Sequence, residues 1–104
     1  MSDAGQLPPL HPGEVLREEF LNPLGLTAYG VAKACNVPRT RIERIAREEI
    51  GVTADTALRL GRLFGTTPEF WLTLQMRFDV ETNRKRIEAE LAGITPRAPQ
   101  DQAA

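Results

Sequence analysis

Residues 27–47 read TAYGVAKACNVPRTRIERIAR, and the fold turns on how this stretch is parsed. Thr27 is suited to cap a helix, with Val31, Ala32 and Cys35 on one face of the turns that follow. Asn36 stands where a chain reversal needs a residue that tolerates positive φ. Pro38 opens a further helix because its missing N–H is not required in a first turn. The spacing therefore predicts one helix over Ala28–Cys35, a turn of about three residues, and a second from Pro38 to Arg47 or Glu48. Two short helices joined by such a turn form a helix-turn-helix unit. Ala32 is small where the two helices meet, and Val31, Cys35, Val37, Ile42 and Ile45 supply the apolar contacts.

The second helix divides by face. At about 100° per residue, Pro38, Ile42, Ile45 and Ala46 fall on one side. Thr40, Arg44 and Arg47 fall on the opposite side with Glu43 near them, and Arg39 and Arg41 flank that polar face. Such a helix suits the major groove of double-stranded DNA. Thr40 and Arg44 are assigned to base edges, Arg39 and Arg41 mainly to the phosphate walls, and Arg47 to either. Thr27 and Tyr29, near the start of the first helix, are assigned to phosphate contacts. The bland alternative is a solvated charged face, which four arginines and a single acid behind a sterically matched turn make the weaker reading.

Working outward, Pro12 opens a helix over about Gly13–Leu21, which Asn22-Pro23 is expected to stop. Thr53 caps a helix over Ala54–Phe64 that ends at Gly65. Thr67-Pro68-Glu69 starts a fifth, anchored by Phe70, Trp71 and Leu74 and either continuing to Leu91 or breaking near Phe78-Asp79. Its distal part carries a thin stripe of Val80, Ile87 and Leu91, with Glu81–Lys85, Arg84–Glu88 and Arg86–Glu90 as supporting i,i+4 pairs. The class is all-α: a flexible arm over 1–10, a compact five-helix domain over 11–80, a helical extension over 81–94 and a disordered tail over 95–104.

The 104 residues suit one domain. Net charge is −1, yet residues 27–47 alone carry +4 against −3 before and −2 after them, an electrostatic footprint that a phosphate backbone attracts. The single cysteine, Cys35, excludes an internal disulfide and a cysteine-based zinc site. The expected cytoplasmic location follows from the reducing chemistry and from the lack of a signal-peptide or membrane-span pattern. No nucleophile–base set, phosphate loop or metal spacing is present, so neither catalysis nor a cofactor is expected. His11 is read as a capping or packing residue, Cys35 as a small buried apolar one.

Longer stretches resemble a known family. His11-Pro12-Gly13-Glu14, Phe20 through Thr27, Val37-Pro38-Arg39, Gly51 through Leu60 and Phe64 through Leu72 together look like a HigA-type antitoxin of the XRE-like repressor class, in register over roughly residues 11–80. The resemblance implies a phage-repressor-like fold, a homodimer on a palindromic operator, repression of its own operon, and a HigB-like partner toxin that cleaves mRNA. A stand-alone repressor and a toxin-binding module with weak DNA binding are the alternatives. The chain departs from the family pattern at Thr27-Ala28, where Ser-Gln is frequent, at Glu43-Arg44, where Ser-Glu is frequent, and at Arg47-Glu48-Glu49-Ile50, where a basic loop is frequent.

Overall fold

A computed structural model describes residues 8–97. Of the expected arm over 1–10 and tail over 95–104, residues 1–7 and 98–104 lie outside the described residues, while 8–10 and 95–97 are non-helical. Six helices and no strand occur among the described residues. We label them α1, which comprises Pro12–Val15, a π-helical turn over Leu16–Leu21 and Asn22–Leu24, then α2 (Ala28–Cys35), α3 (Arg39–Ala46), α4 (Ala54–Phe64), α5 (Pro68–Arg86) and α6 (Glu88–Ala92).

The first helix is longer than the Asn22-Pro23 signal predicts. The Asn22 N–H donates to the Arg17 carbonyl five residues back, so the wider turn absorbs one extra residue and leaves Pro23 at the start of a fresh turn. Gly25, at φ 64°, ends it instead, and the Leu26 N–H donates to the Leu21 carbonyl at 2.8 Å. At the other end the His11 Nδ1 accepts the Gly13 N–H at 2.8 Å, which makes His11 the expected cap.

Side-chain caps start the next helices as well. The Thr27, Thr53 and Thr67 hydroxyls accept the N–H groups of Gly30, Thr56 and Phe70. Pro38 differs from expectation: it is exposed and extended (ψ 143°), standing just before α3 and not on its buried face. Its carbonyl accepts the Arg41 N–H, so the ring lies outside the first helical turn.

One core unites α1 to α5. Leu16, Ile42, Ile45, Leu60 and Trp71 are wholly buried, with Val31, Ala32, Cys35, Val52 and Ala57 around them. Trp71 is its largest member, and its indole N–H donates to the Thr66 hydroxyl at 2.8 Å, so burial leaves no orphan donor. Phe20 packs on Phe64 and Trp71 at ring-centre distances of 4.6 and 5.3 Å. Gln75 ties α5 to the α3–α4 connection by accepting the Val52 N–H at 2.7 Å.

Beyond Phe78 the chain leaves this core. Helix α5 runs straight through Phe78-Asp79 and breaks only at Ile87 (φ −113°, ψ 25°). That break spoils the i,i+4 geometry expected for Arg84–Glu88 and Arg86–Glu90. Among the described residues Arg84 pairs instead with Glu81 at 3.3 Å, and Arg86 donates to Asn83 at 2.6 Å. Val80 and Leu91 stay well exposed and Ile87 half-buried.

Candidate nucleic-acid interface

The turn between α2 and α3 has the geometry its residues demand. Asn36 is left-handed at φ 59°, and the Val37 N–H donates to the Ala32 carbonyl at 3.0 Å. Arg59 of α4 clamps the turn from below, donating to the Cys35 carbonyl at 2.8 Å and the Asn36 carbonyl at 3.4 Å. Burial pushes the Cys35 thiol above its ordinary pKa, which suits a small inert core residue.

Helix α3 is held by its apolar side. Ile42, Ile45 and Ala46 are buried, while Arg39, Thr40, Arg44 and Arg47 are exposed and Arg41 is partly covered. Tyr29 of α2 is 56% exposed, with the Arg39 guanidinium 5.9 Å from the ring centre, within cation–π range. Thr27, at the start of α2, is exposed but commits its hydroxyl to the Gly30 N–H. The candidate residues Tyr29, Arg39, Thr40, Arg44 and Arg47 thus share the solvent side of the α2–α3 unit.

The arginines are not bare charges. Arg39 lies 3.3 Å from Glu43. Arg41 reaches sideways to Asp55 at 2.6 Å, and Arg59 holds the same carboxylate at 2.9 Å. These two partners, Arg59 first, keep the Asp55 carboxyl below its ordinary pKa. Arg44 and Arg47 both reach Glu49, at 3.4 and 3.0 Å. Its carboxyl is likewise held low, chiefly by the Arg47 hydrogen bond. Most of these groups are exposed, with Arg41 and Glu43 partly covered, so the pairs are weak and a phosphate can displace them.

Sequence reasoning missed three positioning residues. Arg17 of α1 donates to the Ala46 carbonyl and pairs with Glu48 at 3.2 Å, which fixes the C-terminal end of α3. Gln75 and Arg59 act across similar distances in sequence. Only Asp55–Arg59, an i,i+4 pair, left a local signal.

The fold and this face together define a helix-turn-helix regulator, an exposed cationic helix presented by a compact helical core. No family model matches the chain. Individual relatives do. The chain is 51% identical to virulence-associated protein I of Dichelobacter nodosus over 76 residues, covering 73% of this chain and 70% of that protein. It is 35% identical to antitoxin HigA-1 of Vibrio cholerae over 88 residues, covering 85% and 83%. The solved structure of antitoxin GraA in complex with its operator superposes with a TM-score of 0.83 at 44% identity, covering 89% of this chain and 94% of that one. The chain belongs to the HigA-type antitoxin family of helix-turn-helix proteins. Such proteins are DNA-binding regulators and not enzymes. Among the described residues, no helix is long and apolar enough to cross a membrane.

Proposed function

We propose that this protein is a dimeric antitoxin that binds a palindromic operator, represses its own operon and neutralises a HigB-like mRNA ribonuclease. The observation that carries the DNA-binding part is the single exposed face formed by Tyr29, Arg39, Thr40, Arg44 and Arg47. The operator complex of the relative GraA supports the same use of the same fold. On this reading Thr40 and Arg44 meet base edges. Arg39 and Arg41 serve the backbone, as does the start of α2 through Thr27 and Tyr29. Arg41 must share itself between DNA and Asp55.

Dimerisation supplies the second half-site. Val80 and Leu91 lie exposed on the overhang of α5 and α6, with the half-buried Ile87 between them. Pairing there would bury them and set two α3 helices about 34 Å apart, one turn of B-DNA. A folded surface, not the terminal tail, is assigned to the toxin, because the core is complete without a partner.

A salt titration on operator and random duplexes tests the assignment. Arg44→Ala removes a base contact worth about 1–3 kcal/mol per half-site and lowers the operator-to-random ratio. Arg41→Ala weakens both DNAs alike and lowers the salt slope by about one per contact. An unchanged ratio for Arg44→Ala refutes the assignment. For the toxin, removal of residues 95–104 leaves growth protection intact; loss of protection would make the tail the effector.

A further inference from the structure

The acid that closes α3 is placed with more care than a surface charge needs. After Ala46 the chain reverses through Glu48, which is left-handed at φ 63°. That conformation is one a glycine or asparagine usually fills. Its N–H donates to the Ile45 carbonyl and the Glu49 N–H to the Arg44 carbonyl, both at 2.8 Å. Arg17 holds the reversal from the α1 side by binding the Ala46 carbonyl and the Glu48 carboxylate. The result carries Glu49 back beside the last turn of α3. There its two carboxylate oxygens divide between Arg44 (3.4 Å) and Arg47 (3.0 Å). Both arginine side chains remain more than half exposed, at 52% and 59%.

We propose that Glu49 is an internal competitor for DNA, a stand-in for a phosphate that Arg44 and Arg47 must release before either can contact a duplex. The inference rests on the reading of α3 as the recognition helix. A phosphate arriving from any duplex must displace a carboxylate already in place, and the freed carboxylate then repels the backbone beside it. Both duplexes meet the same cost of breaking these pairs, so Glu49 weakens operator and random DNA alike. It also lowers the number of counterions released, because Arg44 and Arg47 are partly neutralised before DNA arrives.

The test compares the full chain with Glu49→Gln on two 30-base-pair duplexes: the sequence upstream of the protein's own reading frame and a scrambled version of it. Glutamine keeps the side-chain length and removes the charge from an exposed position, so the fold is retained. Glu49→Gln is expected to bind the scrambled duplex about 2–5-fold tighter per half-site, which is the worth of one exposed ion pair. Its salt slope should steepen by roughly 0.9 per half-site. Operator affinity should rise by a similar factor, so the ratio is kept. Equal affinities and slopes for the two proteins overturn the inference. Weaker operator binding by Glu49→Gln overturns it too, and makes Glu49 a residue that positions the arginines. If neither protein binds either duplex, the reading of α3 falls and the inference with it.

Discussion

Gly13 is the position at which a single methyl group tests the whole arrangement. A Cβ built there lies 1.7 Å from the Ile45 carbonyl oxygen and 2.9 Å from its carbon. Ordinary contact begins at 3.4 Å, so Gly13→Ala forces α1 and α3 apart by about 1.7 Å. The obstacle is backbone, which no rotamer change relieves, so the cost sits at or above the upper end of the usual range for overpacking, about 3 kcal/mol. Alanine returns about 0.5–1 kcal/mol through its lower chain entropy in a helix. The net loss is about 2–3 kcal/mol, which for a domain of this size lowers Tm by roughly 10–20 °C. The same shift pulls Arg17 from the Ala46 carbonyl and from Glu48, so DNA affinity falls even where the variant is folded. Gly93→Ala is the control, because φ there is −84° and the nearest atom to its Cβ, the Glu90 carbonyl oxygen, is 3.5 Å away. Urea and thermal unfolding by circular dichroism measure both. If Gly13→Ala lies within about 1 kcal/mol of Gly93→Ala, a margin well below the overpacking cost, the close approach of α1 to α3 is refuted.

Trp71→Phe keeps most of the packing but leaves a void beside Thr66 and deletes the indole hydrogen bond. A loss of about 1–3 kcal/mol is expected in urea melts, against about 3–5 for Trp71→Ala. His11 is held below its ordinary pKa of 6.5, first by burial, against the opposing pull of Glu48 and Asp79. Its folded pKa is the lower one, so its contribution is complete above 6.5 and is lost as pH falls through the folded value. Unfolding free energies from pH 8 down to pH 5 should therefore drop more in wild type than in His11→Asn, and parallel curves would contradict this. Cys35 should resist alkylation by iodoacetamide in the native state and react promptly in urea; equal rates would contradict its burial.

What could be read from the sequence was what depends on neighbours along the chain. Thr27, Thr53 and Thr67 announce helix starts because a hydroxyl reaches an N–H three residues on. Asn36 and Gly65 announce ends because few residues accept positive φ. The burial of Ile42, Ile45 and Ala46 and the exposure of Thr40, Arg44 and Arg47 on α3 followed from helical period, whereas Pro38 did not join the buried face. The partners of the α3 arginines did not follow from it. Arg41 meets Asp55 across a loop, and Glu49 meets Arg44 only because Glu48 takes a conformation that its residue type does not advertise. Arg17 acts over 29 residues of chain. The break at Ile87 was equally hidden, since the stripe and charge pairs on both sides of it suit an unbroken helix.

The wide turn over Leu16–Leu21 has a bearing on how α1 serves two neighbours at once. In a uniform α-helix Phe20, seven residues after Gly13, would point almost the same way as Gly13, about 20° off. The π-helical turn delays the rotation by one residue, roughly 100°. The helix therefore changes phase midway. Its first half, with Gly13 and Arg17, is addressed to the end of α3; its second half, with Phe20, is addressed to Phe64 and Trp71. One rod thus acts as two, clocked differently. Deleting a single residue from this turn would leave either half correctly aimed but never both.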